Sequence, residues 1–469
     1  MSRVFLVGAG CGAGAISARG LSLLRRCDCV VYDDLLDESI LGECPSDCEK
    51  IYVGKRSGAH SAEQGEINRI LMACAEKHRL VVRLKGGDPY VFGRGGEEAL
   101  ALKDAGVPFA EIPASTSAIA APAAAGIPVT HRGVARSFHV YTGHTRDGEM
   151  PDYALIARTE GTHIFLMARS RCGNICRGLI EGGMSEDTPC ALVSEAGMPG
   201  ERAVRGTLSA LPESIADMPS PAVLVVGKTA GMDIRSTLPL AGVTVAVAGT
   251  GEYVGKVCTL LNEEGAFARP LAVAEVKALA FDAFFERMKE FSVLAFTSSN
   301  GVRIFFARAK EKKIDHRAFA KYKFAVVGKG TAETLAEFSF YADIIPSVHT
   351  AAGLAEKLRG MKGVAVLRAE GGNPALTEIG EEFLLYRLYY DDEKLRQCVY
   401  EAERADIIAF SSAQTVRGLL PLLSMERRPP LVCIGEETAK AIRAFGYTPV
   451  IAKDAAAESL VKEIISCRD

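Results

Sequence analysis

Asp88 stands between Gly86-Gly87 and Pro89 in the stretch VVRLKGGDPYVFGRGGEE, residues 81–98. An aspartate there offers an acceptor-only carboxylate, and paired glycines let a ligand come close to the backbone. A second glycine-rich stretch, Gly8-Ala9-Gly10-Cys11-Gly12-Ala13, satisfies the loose dinucleotide pattern G-x-G-x-x-A. Asp33 follows about 20 residues on, where a ribose-binding acid would stand. Nicotinamide-dependent dehydrogenase chemistry on a Rossmann domain is therefore one reading of this region. The plainer alternative is that Asp33 caps a helix after its strand. Lys55, Arg56, Arg83, Lys85, Arg94, His131, Arg132 and Arg136 sit within or beside these stretches and could meet an anionic substrate.

Each glycine turn needs a strand to present it. Val81 to Leu84 reads as a strand stopped by glycine, and EEALALKDAG as a helix whose first-turn Glu97 and Glu98 suit the positive dipole end. Strand, turn and helix place Asp88 at the carboxyl end of a sheet, where open α/β sheets bind ligands. The same alternation runs through VFLVG, a helix near 17–26, CVVYD, a strand near 51–53 and a helix near 63–77. Further strands are expected at 138–142, 163–167, 190–193 and 222–226. Pro113, at the head of an alanine-rich helix, marks a boundary, and 236–242 reads as a linker before a fresh strand at Val243.

The second half repeats itself. AFTSSNGVR at 295–303 returns as AFSSAQTVR at 409–417, and GKGTAETLA at 328 returns as GEETAKAIR at 435. Ordered agreement across two motifs implies two similar α/β lobes.

Composition narrows the class. A chain of 469 residues, 48% apolar and with net charge −3, is globular and argues against general nucleic-acid or membrane-surface binding. Thirteen cysteines without a Cys-x-x-Cys pair predict reduced thiols in a cytoplasmic protein. Cys44/Cys48 and Cys172/Cys176 could ligate a metal, but no histidine or cysteine is spaced to complete a site, so no metal is expected. The opening MSRVFLVGAGCGAGAISARG mimics a signal peptide, yet its glycines break the apolar run early. The alanine-rich stretch at 114–129 is too polar to span a membrane.

GGDP-x-VFGRGGEE, the run Gly126-Ile127-Pro128-Val129-Thr130-His131-Arg132-Gly133, VGAG, VVYD and Val53-Gly54-Lys55-Arg56-Ser57-Gly58 stand in the order of the tetrapyrrole methylases. Residues 3–235 resemble uroporphyrinogen-III C-methyltransferase. The resemblance implies two α/β lobes, about 1–113 and 114–235, a homodimer, and S-adenosylmethionine as cofactor. It further implies two methylations of uroporphyrinogen III, giving precorrin-2 on the route to sirohaem and cobalamin. Carried over by position, Cys11, Gly86, Gly87, Asp88, Val91, Thr116, Ser117, Met167 and Ala196 would form the cofactor pocket. Asp33 would accept a proton, Lys55 donate one, and Arg94, His131 and Arg132 meet substrate carboxylates. Cys11 stands where the family usually has proline, and PAST (113–116) replaces its Pro-Gly-Ile/Val-Thr.

Residues 243–469 resemble uroporphyrinogen-III synthase through FTSSNGV, GKGTAETL, LLYRLYY and IGEETAKAI. This implies flavodoxin-like lobes, one of about 243–275 plus 388–469 and an inserted one of about 276–387, with hydroxymethylbilane bound between them. Ser298, Thr331, Ser411, Ser412 and Thr438 would bind it, and Tyr386 would assist loss of the hydroxyl. AGTGEYVG stands in place of the usual Thr-Arg-Pro. A synthase makes what the methyltransferase consumes, so the two resemblances support each other. A non-catalytic substrate-binding role for the second half is the other expectation.

Overall fold

The computed structural model describes residues 2–45, 47–54, 64–143, 151–198, 200–249, 251–372, 374–390 and 392–468. The chain divides into two compact units, residues 1–237 and 238–469.

The first lobe of unit one runs β1 (Arg3–Gly8), α1 (Ala18–Leu24), β2 (Cys29–Tyr32), β3 (Glu49–Tyr52), α2 (Gln64–Lys77), β4 (Leu80–Lys85), α3 (Gly95–Asp104) and β5 (Phe109–Ile112). Its sheet is wholly parallel in the order β3-β2-β4-β1-β5. β4 is buried along almost its whole length, as parallel strands covered on both faces are, although it carries Arg83 and Lys85. The second lobe follows as α4 (Ser117–Ala124), β6 (Phe138–Thr142), α5 (Tyr153–Arg158), β7 (Thr162–Leu166), α6 (Cys172–Glu181), β8 (Pro189–Ser194), β9 (Arg202–Thr207) and β10 (Ala222–Val226). Its order is β6-β7-β10-β8-β9, with only β6 and β7 parallel. Sequence pattern misses β5 and β9: FAEI and RAVRGT are half-exposed edge strands without a long apolar run.

Unit two opens with β11 (Thr244–Gly249), α7 (Gly251–Glu263) and β12 (Phe267–Ala272). The chain then builds a second sheet from β13 (Glu275–Ala278), α8 (Asp282–Arg287), β14 (Val293–Phe296), α9 (Ser299–Glu311), β15 (Lys323–Val326), α10 (Lys329–Glu337), α11 (Ala351–Leu358), β16 (Val364–Ala369) and β17 (Glu381–Tyr389). It returns through α12 (Asp392–Arg404), β18 (Ile407–Phe410), α13 (Ala413–Leu419), β19 (Leu431–Cys433), α14 (Glu436–Arg443), β20 (Val450–Ile451) and α15 (Ala457–Ser466). The interrupted sheet reads β12-β11-β18-β19-β20, the flavodoxin-like order, and the inserted one β13-β17-β16-β14-β15. A cluster of phenylalanines, among them Phe284, Phe296, Phe305 and Phe319, fills the inserted lobe.

The repeated motifs occupy equivalent places. AFTSSNGVR forms the β14–α9 turn and AFSSAQTVR the β18–α13 turn, each helix capped by the corresponding serine, Ser298 or Ser412. Among the described residues no helix is long and apolar enough to cross a membrane.

Candidate active sites

In unit one, strand order reverses between β4 and β1, and the loops leaving those strands bond to each other. Gly10 N donates to Gly87 O at 3.1 Å and Gly87 N to Gly10 O at 2.9 Å. Gly87 adopts φ +65°, open to glycine without strain. Gly86 lies against the turn after β2, where an added Cβ would fall 1.8 Å from Leu35 O. Thus the three turns that carry Cys11, Asp33 and Asp88 meet at the carboxyl end of one sheet.

Asp88 is buried. Its Oδ1 accepts from Tyr90 N at 2.9 Å, and its Oδ2 from Ala114 N at 3.2 Å. The carboxylate therefore braces its own turn and ties it to the segment entering α4. Thr116 caps α4, its hydroxyl accepting from Ala118 N, and Ser117 begins the helix. A Cβ on Gly87 would meet Ser117 N and Thr116 Cα only at 3.8 and 3.9 Å, so the glycine leaves a cradle facing α4. Val91 and Ala196 pack on one apolar cluster with Ala118 and Ala121. Cys11 and Gly197 touch through their backbones: a Cβ on Gly197 would fall 2.1 Å from Cys11 O. Met167 and Ala196 follow β7 and β8 on either side of the start of β10, where Ala168 N donates to Ala222 O and Glu195 N to Pro221 O. Met167 holds φ +55° with its side chain half-exposed. A non-glycine residue in that conformation marks a position held by its surroundings. Burial pushes the Cys11 thiol up to about 11, so it stays protonated and unreactive.

Asp33 does not cap a helix. Its Oδ2 takes a bond from Arg83 Nη2 at 2.7 Å and its Oδ1 one from Leu35 N at 3.3 Å. Arg83 also reaches Glu98 Oε1 at 3.3 Å, and Lys85 Nζ reaches the same oxygen at 2.9 Å. Arg83, Lys85 and Glu98 are all buried, which removes Arg83 and Lys85 from the expected basic surface. Glu98 was expected only to complement a helix dipole; a buried glutamate is invisible to that rule, and two basic residues inside a buried strand are the signal that one is needed. Lys55 and Arg56 lie outside the described residues. Arg94 pairs with Glu97 through two bonds, at 2.8 and 2.7 Å. His131 Nδ1 lies 3.0 Å from Arg132 O in an exposed turn. None of these contacts of Arg94, His131 or Arg132 reaches Asp33 or Asp88.

The nicotinamide reading of the first loop fails on geometry. A dinucleotide fingerprint opens directly into a helix beside the strand that bears its acid. Here α1 starts only at Ala18, capped by Ser17, and β4 separates β2 from β1.

In unit two, Tyr386 Oη and Ser298 Oγ lie 2.9 Å apart, and Ser299 Oγ donates to Gly330 O at 3.2 Å, bringing the starts of α9 and α10 together. Thr331 and Thr438 are buried in the first turns of α10 and α14, whose N-caps are Gly328 and Gly435, so neither threonine is the capping residue. Ser411 Oγ bonds Ala248 O at 3.0 Å at the point where strand order reverses between β11 and β18. Ser412 accepts from Thr415 N at 3.2 Å. Burial raises the Tyr386 pKa, partly offset by hydrogen bonds from Ser298 and Asn300, so its hydroxyl remains a proton donor. A Cβ on Gly251, at the start of α7, would lie 3.7 Å from Asn300 Oδ1, so the loop after β11 approaches the site in the inserted lobe.

Residues 3–212 match the family described as Tetrapyrrole (Corrin/Porphyrin) Methylases, and residues 256–462 match Uroporphyrinogen-III synthase HemD. A porphyrin biosynthesis protein HemD of Ruminiclostridium josui is 34% identical over 494 aligned positions, across 98% of this chain and 97% of its own. The chain belongs to the fused tetrapyrrole methylase and uroporphyrinogen-III synthase family. The methylase half is 43% identical over 230 residues to siroheme synthase 2 of Klebsiella pneumoniae, matching 49% of this chain and 50% of that one. The methylase half thus matches about half the length of that siroheme synthase. A uroporphyrin-III C-methyltransferase of Thermus thermophilus, solved with S-adenyl homocysteine, is 39% identical over 49% of this chain and 98% of its own, with a TM-score of 0.44. The residues matched to the methylases include the β1, β4 and α4 loops, and those matched to the synthase include Ser298, Thr331, Tyr386, Ser411, Ser412 and Thr438.

Proposed function

We propose that the synthase half closes hydroxymethylbilane to uroporphyrinogen III with inversion of ring D, and that the methylase half methylates the product twice to precorrin-2. The observation that carries the methylase reading is the cradle at Gly87, braced by Asp88 and facing the start of α4. Cys11, Gly86, Gly87, Asp88, Val91, Thr116, Ser117, Met167 and Ala196 would hold S-adenosylmethionine there. When bound, it supplies an electrophilic methyl group to an electron-rich pyrrole carbon. The residues' work is to position that carbon and to take up the proton it loses. Asp33, a carboxylate at the same end of the sheet with 23% of its side chain exposed, is the proposed acceptor. Lys55 is the proposed donor, and Arg94, His131 and Arg132 the proposed partners of substrate carboxylates.

In the synthase half, the positive dipole ends and backbone N–H groups at the starts of α9, α10, α13 and α14 would meet acetate and propionate side chains. Tyr386, kept protonated and hydrogen-bonded to Ser298, would donate to the departing hydroxyl. The protein would work in the cytoplasm as a homodimer through its methylase half.

One experiment tests both halves. The full chain is given hydroxymethylbilane with and without S-adenosylmethionine, and the tetrapyrroles are separated and weighed by mass spectrometry. Without the cofactor it should yield the type III isomer, and with it a dimethylated product. Type I isomer alone removes the synthase assignment; unmethylated type III in the presence of cofactor removes the methylase one.

A further inference from the structure

Three thiols outside both sites meet at the amino-terminal end of β2. Cys27 precedes the strand, while Cys44 and Cys48 come from the segment that leads into β3. Their sulfurs all lie within 4.8 Å of one another, and Cys27 Sγ and Cys48 Sγ are 3.4 Å apart. In a tetrahedral site with metal–sulfur bonds of ~2.3 Å, neighbouring sulfurs stand ~3.8 Å apart, so small side-chain rotations would complete this face. Cys27 and Cys48 are buried and Cys44 is partly exposed, which gives an entry path from solvent.

A second donor set, Cys29, Glu49 and His78, lies nearby. Cys29 packs in a different core cluster from Cys27 and Cys48, and Glu49 and His78 already pair at 2.7 Å. It offers one sulfur where the first offers three.

We infer that Cys27, Cys44 and Cys48 form a binding site for one thiophilic divalent cation of the zinc class, with a fourth position left to water. Binding exchanges thiol protons for the cation and involves no oxidation, so it weakens as pH falls. The site lies at the opposite end of β2 from Asp33. A cation there would clip residue 27 to residue 48 across the segment whose Leu35 carbonyl abuts Gly86.

The full-length protein, reduced and stripped with chelator, is titrated with Co²⁺ under anaerobic conditions. One Co²⁺ per chain should bind, with sulfur-to-cobalt charge-transfer absorption and the visible bands of tetrahedral cobalt, all displaced by Zn²⁺. Cys44→Ser and Cys48→Ser should each weaken or abolish these bands, while Cys258→Ser and His78→Gln leave them intact. Cys44→Ser replaces a partly exposed side chain, and an unchanged circular dichroism spectrum shows that it folds. Absence of charge transfer at stoichiometric Co²⁺ overturns the inference, as does its survival in the Cys44→Ser/Cys48→Ser double variant. A Cys27–Cys48 disulfide in the freshly isolated protein, mapped by peptide mass, also overturns it, because the pair would then be a redox couple.

Discussion

Arg83 Nη2 lies 2.7 Å from Asp33 Oδ2, so the proposed proton acceptor is also the counterion of a buried guanidinium. Asp33→Asn keeps the shape but leaves a neutral partner. Turnover in methyl transfer should fall ~10²–10⁴-fold, the range for losing a general base, with S-adenosylhomocysteine affinity retained. The thermal midpoint should drop as well, because the ion pair becomes an ordinary hydrogen bond. Near-normal turnover beside a lowered midpoint would leave Asp33 with a structural task alone.

Glu98 is fully buried and serves both Arg83 and Lys85. Removing one partner of a buried ionic group costs about 3–5 kcal/mol, since the others keep their desolvation penalty. Glu98→Gln should lose stability of that order in urea denaturation. A change below about 1 kcal/mol would show that the two cations find other partners.

Burial, then the Arg83 charge, hold the Lys85 ammonium below its ordinary value of 10.5. The unfolded chain thus binds this proton more tightly than the folded one. The group's cost is complete at pH values below its folded pKa and fades as pH rises from there toward 10.5. Urea denaturation across the alkaline range should show this rising component in the parent protein. Its persistence in Lys85→Met would assign it to another group.

Asp88→Ala removes an acceptor for two backbone N–H groups, those of Tyr90 and Ala114. Its burial predicts that the loss also costs the fold stability. The variant should lose S-adenosylhomocysteine binding in calorimetry and also about 1–3 kcal/mol of stability. Binding at parental affinity would exclude this turn from the cofactor site.

Tyr386→Phe keeps the ring packed and removes the hydroxyl that faces Ser298. Formation of the type III isomer from hydroxymethylbilane should slow strongly, whereas Thr331→Val and Thr438→Val should weaken substrate binding more than turnover. Unaltered isomer ratios in Tyr386→Phe would transfer the leaving-group role elsewhere.

What was legible in the sequence was local. Gly86-Gly87-Asp88 announces a strand-to-helix turn because glycine and β-branched residues report backbone conformation directly. The repeat at Ser298 and Ser412 announces paired lobes because the capped turns recur in order. Partnerships across the fold were not legible. Glu98 meets Arg83 only because α3 packs back on β4, and Cys27 meets Cys48 only after β2 and β3 pair. Edge strands such as Phe109–Ile112 are held by their neighbours rather than by their own pattern.

The interrupted lobe of unit two also imposes an order in time. Thr244 N, at the head of β11, bonds Asp406 Oδ2, 162 residues later in the chain. At translation rates of ~5–20 residues per second, the nascent β11 waits roughly 8–30 s for its β18 neighbour. The inserted sheet, bounded by β13 and β17, is complete on its own residues before then. During that interval β11 presents a bare strand edge of apolar TVAVAG, a template for pairing with another chain. Production of this protein is therefore most exposed to pairing with other chains throughout the interval between the emergence of β11 and the arrival of β18.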